Sequence, residues 1–170
     1  MKVFVSLILA VALLLGATAV GEAPFPDEDF GFDFLDEGYE GNWVEIPALD
    51  VEFCLPLGWE QVSPPAGSAF SARNAETGDT LDISLEAEDV RNVRAWAGED
   101  LPRYRVEEAN FYDALVSEDE KGLRIYIVTG EDRLVRFDFR HTQEGSVTEA
   151  RALEIVGTVC DIWDDEDAFQ

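Results

Sequence analysis

Leu123-Arg124-Ile125-Tyr126-Ile127-Val128 runs into the turn Gly130-Glu131-Asp132 and then into the stretch Leu134 to Arg140. The first run is apolar at both parities, so a strand there needs cover on both of its faces. It is expected near the centre of a sheet with something packed on either side. The second run alternates. Val135, Phe137 and Phe139 share one parity, while Arg136, Asp138 and Arg140 share the other. Two such runs around a glycine-containing turn read as an antiparallel hairpin.

Outward from this pair the chain stays strand-rich. Leu49, Val51, Phe53 and Leu55 alternate with Asp50, Glu52 and Cys54, the pattern of a half-buried strand. Pro56-Leu57-Gly58 turns the chain into Trp59 to Val62, and the loop Ser63 to Gly67 precedes a short strand over Phe70 to Arg73. Leu81, Ile83 and Leu85 again alternate with polar residues. Tyr104 to Ala109 and Phe111 to Val116 are strand-like, and Ser117 to Gly122 is a charged hairpin turn. Two helices are expected. Asp89 is placed to cap the first, over Val90 to Ala97, which Gly98 ends. Ser146 and Glu149 form a capping box for the second, whose apolar stripe is Leu153, Val156, Val159 and Cys160. The expected fold class is therefore α+β: a mostly antiparallel sheet of six to seven strands, flanked by one internal helix and a C-terminal helix. No repeat at solenoid periods is visible.

The first residues set the compartment. Met1 and Lys2 precede an apolar run from Val3 to Leu15 that only Ser6 interrupts. Gly16 then leads to Ala17-Thr18-Ala19, with small residues at the two positions that signal peptidase reads, so cleavage is expected between Ala19 and Val20. The run is shorter than the roughly 20 apolar residues of a spanning helix. Neither cysteine lies near the cut, which excludes a lipid-anchored product. The expected organisation is a signal peptide over 1–19, an acidic disordered tether over 20–42, one domain over 43–163 and an acidic tail over 164–170. In the tether Phe25, Phe30, Phe32, Phe34 and Tyr39 interleave with acids, as in a sticky recognition segment or a solvated linker.

Charge narrows the partners. The chain carries 37 Asp and Glu against 12 Lys and Arg, a formal net charge of −25. Nucleic acid and anionic membrane surfaces would both be repelled. A protein or other partner of cationic character fits, as does acidity that reports a saline habitat. No stable membrane insertion is expected once the signal peptide is removed. In an exported chain the two cysteines, Cys54 and Cys160, read as one disulfide, two buried thiols being the alternative. Cys54 shares parity with Asp50 and Glu52, whereas Cys160 shares the apolar stripe of the last helix. A disulfide would need that helix to lie against the face carrying Cys54.

Candidate chemistry is sparse. His141 is the sole histidine and falls at the end of the apolar parity of 135–139, a structural position at a sheet edge. One histidine and two cysteines do not make a four-ligand zinc site. Against the calcium-loop template, Asp27, Asp29 and Asp33 have suitable character, but Gly31 falls where a ligand is needed and Phe32 where glycine should be, and Asp161 to Asp167 lacks the glycine. No serine sits in a nucleophile elbow, and paired carboxylates are too common in this chain to mark a site. No catalytic residue, metal site or cofactor is assigned. Arginines concentrate between Arg91 and Arg140. Arg136 and Arg140 share a strand face with Asp138 and face toward Arg124 on the neighbouring strand. Arg124, Arg136 and Arg140 are thus either an anion- or carboxylate-binding patch or cross-strand ion pairs with surplus acids.

The strand that closes in Leu55-Pro56-Leu57-Gly58-Trp59, followed by short strands, one helix, further hairpins and a C-terminal helix, resembles the PsbP-like superfamily. That superfamily includes a thylakoid-lumen photosystem subunit, a Ran-binding nuclear import factor and many small exported bacterial proteins. The resemblance spans about residues 45–163 in order of elements and implies an antiparallel sheet between helices. It also implies a binding or assembly module, with no common site motif from which residues carry over. The function expected is an exported non-enzymatic binding or accessory module of the cell envelope, secreted or periplasmic. The other readings are a small secreted hydrolase using surface carboxylates and a passive cation-binding surface protein.

Overall fold

The computed structural model describes residues 40–142 and 147–162. The expected signal peptide with Ala17, Ala19 and Val20, the expected tether up to residue 39, Ser146 and the expected tail over 164–170 lie outside the described residues.

Within the described residues, ten strands and two α-helices follow in order. The strands are β1 (Gly41–Ile46), β2 (Val51–Pro56), β3 (Trp59–Gln61), β4 (Phe70–Asn74), β5 (Thr80–Ala87), β6 (Arg105–Ala109), β7 (Tyr112–Asp119), β8 (Gly122–Val128), β9 (Leu134–Arg140) and β10 (Cys160–Asp161). Helix α1 (Val93–Ala97) runs into a 3-10 turn over Gly98–Arg103, and helix α2 spans Glu149–Gly157. The fold is α+β with antiparallel pairing throughout, as the alternation of apolar and polar residues implies. One large sheet has the order β3-β4-β5-β9-β8-β7-β6, and a second, unexpected one has the order β1-β2-β10. The large sheet is two meanders, β3-β4-β5 and β6 to β9, joined where β5 pairs with β9.

The inner face of the large sheet carries the core. Phe70, Leu81, Ile83, Ile125, Phe137 and Phe139 are buried there against Val51, Phe53 and Leu55 of β2 and against Ala152, Ile155 and Val156 of α2. Phe53 meets Phe70 edge-on at a centroid distance of 5.3 Å, which fixes β2 over β4. On the other face α1 covers β7 and β8. There Val93 and Ala97 pack on Leu115, Tyr126 and Leu134, beside a cluster of Trp96, Tyr104 and Tyr126. The strand over 122–128 is covered on both faces and lies between β7 and β9, as its composition requires.

Four boundaries differ from the sequence expectation. Strand β1 begins at Gly41, ahead of residue 43. Gly41 and Asn42, read as the end of the tether, open β1, and Gly41 is the residue that fits there because a Cβ would run into the Leu55 carbonyl and the Cys54 sulfur. The internal helix is capped by Asn92, not Asp89. Asp89 has φ of +58°, a left-handed conformation unlike the extended one an N-cap needs, whereas the Asn92 side chain accepts from the amides of Arg94 and Ala95. Thr148, not Ser146, caps α2 by accepting from the Arg151 amide. The same helix ends at Gly157, before Val159 and Cys160. Thr158 closes it: its hydroxyl donates to the Ile155 carbonyl (2.7 Å) and accepts from the Cys54 amide (2.9 Å), while Asn110 Nδ2 donates to the Gly157 carbonyl (3.1 Å). With its last carbonyls satisfied from outside, the chain turns to pair with β2.

Candidate functional site

The exposed part of the large sheet's outer face brings the three predicted arginines together. The pairing registers Arg124↔Asp138 and Gly122↔Arg140 put them on one face, with Asp138 at the centre. Arg124 Nε donates to Asp138 Oδ1 at 2.7 Å, and Arg140 Nη2 lies 3.4 Å from the same oxygen. Arg136 Nε lies 2.7 Å from Asp138 Oδ2 without the alignment of a hydrogen bond, so this contact is an ion pair. Asp119 adds contacts to Arg140 (3.3 Å) and Arg124 (3.6 Å), and Glu86 takes Arg136 at 2.5 Å. The Lys121 amide, with help from Arg140 and Arg124, holds the Asp119 carboxyl below its ordinary range. Each guanidinium is committed to carboxylates, so the geometry is that of cross-strand ion pairing. His141 follows β9 directly, half-buried, and its amide donates to the Lys121 carbonyl.

The expected disulfide is not formed in the structure, and the last helix does not carry Cys160 against Cys54. Cys160 lies on β10, opposite Glu52 of β2. Cys54, two residues further along β2, is therefore the diagonal neighbour of Cys160 on the same face. Both side chains stand as thiols in the structure. The Cys160 Sγ contacts Glu52 Oε1 at 3.4 Å, and the Cys54 Sγ leans toward Gly41 on the other flank of β2. Burial pushes the Cys54 thiol up; burial and Glu52 together push Cys160 up to about 12.

A third feature was not anticipated. Four segments converge at one end of the large sheet: the chain entering α1, the β6–β7 turn, the β8–β9 turn and β10. They enclose an open cleft of about 840 Å³. Its wall carries Glu108, Asp113, Asp132 and Asp161 against Arg91. Arg91 pairs with Asp132 (3.3 Å), and Arg94 just outside pairs with Asp113 (3.1 Å). Asn110, at φ +53°, makes the tight β6–β7 turn and sets Phe111 on the rim with 84 % of its surface exposed. Asp161 Oδ1 accepts from the Gly130 amide at 3.1 Å and so ties β10 to the β8–β9 turn. Tyr112 lines the floor and donates to the Val159 carbonyl (3.2 Å); burial, Asp161 and Cys160 raise its hydroxyl to about 12. Among the described residues no group of three or more His, Cys, Asp or Glu is placed to hold a metal ion. Nor is any described helix long and apolar enough to cross a membrane.

Among solved structures the chain is similar to the solution structure of cyanobacterial PsbP (CyanoP) from Synechocystis sp. PCC 6803. The likeness is to a PsbP. It has a TM-score of 0.43 and 14 % identity, over 74 % of this chain and 95 % of that one. No functional residue is carried across from it. No family model and no curated protein matches the chain.

Proposed function

We propose that the chain is exported, cut between Ala19 and Val20, and acts in the periplasm or outside the cell as a non-enzymatic binding module whose cleft holds a cationic partner. One observation carries this reading: among the described residues, the open cleft has four carboxylates on its wall against a single guanidinium, with an exposed aromatic ring at its rim. Acidic walls of low dielectric focus a negative potential into such a concavity and steer cations toward it. Phe111 adds exposed apolar surface at the rim. The chain's charge of −25 draws cationic partners from a distance and keeps nucleic acid away. The three arginines around Asp138 serve in this reading as ion pairs that knit β8 to β9, not as an anion site.

Titration of the isotope-labelled domain with a short oligolysine peptide, followed by amide chemical shifts, tests the location. Shifts are expected first at residues 110–113 and 129–132. Shifts spread evenly over every acidic surface, or centred on the face of Arg124 and Arg140, would remove the cleft from the proposal.

A further inference from the structure

The thiol pair and the cleft share one element. Strand β10 is two residues long: Cys160 faces the same side as Cys54, and Asp161 reaches the cleft wall. We propose that oxidation of Cys54 and Cys160 to a disulfide draws β10 along β2 and withdraws Asp161 from the Gly130 amide, making the cleft redox-sensitive.

Geometry supplies the coupling. Diagonal neighbours on an antiparallel pair stand roughly 7–8 Å apart, whereas disulfide-bonded residues have Cα atoms about 4.4–6.8 Å apart. Closing the pair therefore needs a backbone shift of about 1 Å, together with rotation of the Cys54 side chain from Gly41 toward β10. The two-residue edge strand is the side that can give, because β2 is paired with β1 over six residues and held by the core residues Val51, Phe53 and Leu55. Asp161 moves with its neighbour. Its bond to the Gly130 amide is 3.1 Å long, and a further ~1 Å takes it past hydrogen-bonding distance. Gly130 is close-packed against this carboxylate, since a Cβ there would collide with it, so the turn senses the withdrawal directly.

The chemistry is thiol–disulfide exchange with a low-molecular-weight or protein disulfide as oxidant. One cysteine, as thiolate, attacks a sulfur of the oxidant and expels the first thiolate of that oxidant, which takes up a proton. The second cysteine loses its proton to solvent and attacks the mixed disulfide at the protein sulfur, releasing the second thiol of the oxidant. Two protein thiols are oxidised and one disulfide is reduced. The consequence for binding rests on the cleft reading above; the structural steps do not, and their test involves no partner.

The experiment treats the purified chain with oxidised or reduced glutathione, measures its mass, and follows hydrogen exchange at the Gly130 amide. The expected product is lighter by two hydrogens, with Gly130 exchange faster by roughly fivefold or more, the worth of one lost hydrogen bond. Cys160→Ser under the same oxidant should show neither change. Failure to form an internal disulfide overturns the proposal. So does a disulfide that leaves Gly130 exchange unchanged, or an acceleration that Cys160→Ser shows equally.

Discussion

Asp138 is 8 % exposed and holds three guanidinium groups within 3.4 Å. A carboxylate in that position offsets positive charge that would otherwise crowd one patch of sheet, and its loss leaves Arg124, Arg136 and Arg140 repelling one another. Asp138→Asn is expected to cost about 2 kcal/mol in urea unfolding, below the cost of a fully buried pair because the arginines remain partly hydrated. A change under about 0.5 kcal/mol would show that the network is only a solvated surface. Sequence parity had put these residues on one face, but parity alone left open whether an anion or a carboxylate of the chain itself fills the centre. In the structure the register Arg124↔Asp138 puts the chain's own carboxylate there. At the cysteines the thiol form dominates. With Cys160 pushed from an ordinary value near 9 up to about 12, little thiolate exists at pH 8. Its alkylation by iodoacetamide at that pH is expected to run at least ~100-fold slower than that of an unfolded thiol. The sign follows for stability as well. Because the folded state holds these protons more tightly, the contributions of Cys160 and Tyr112 are present below pH 9 and fade as pH rises toward 12. Alkylation at the rate of a model thiol would mean that Cys160 is open to solvent.

At the level of elements, β7 and β8 are joined by a hairpin whose tightness depends on Gly122. This residue has φ of +151°, and a Cβ on it would strike the Phe139 carbonyl on β9. Gly122→Ala is expected to destabilise by about 3 kcal/mol or more, read as a fall in the urea midpoint at constant slope. A loss under about 1 kcal/mol would show that β8 and β9 can part there without cost. The strands β2, β5 and β9 were legible because a two-residue period in apolar side chains matches the pleat of a strand and not the turn of a helix, and β8 because its short apolar run is bounded by turns. The helix boundaries were less so. Asp89 and Ser146 are good caps by residue type, yet a cap also needs extended backbone, and at Asp89 the chain turns left-handed instead. The stripe Val156, Val159, Cys160 suits a helix by spacing alone. What ends the helix is Thr158 bonding the Cys54 amide, 104 residues away in sequence. Strand β1 hid for a simpler reason: Gly41, Asn42 and Glu45 continue the polar tone of the acidic segment, and only Trp43, Val44 and Ile46 hint at a strand.

For the whole molecule, the sheet order governs what the sequence could reveal. The turns at 110–111 and 129–132 are both readable as turns, and the meander β6 to β9 brings them to the same end of the sheet, but the cleft also needs Asp161, which reaches them only because β10 returns to pair with β2. Non-local pairing of this kind leaves no local trace, so the cleft was invisible while its separate walls were not. The expected role as an exported binding module is a claim about this assembled surface and its charge. It is tested most directly by immobilising the chain from Val20 onward and comparing it with the double variant Glu108→Lys, Phe111→Ser for retention from an envelope extract. Both residues are exposed, so the variant should keep the fold, which an unchanged urea midpoint verifies. The expected result is a basic protein held by the wild-type chain, retained roughly tenfold less by the variant and released by salt once the Debye length falls well below 10 Å. Equal retention by both chains, retention by neither, or retention that vanishes only when residues 20–39 are removed would contradict it.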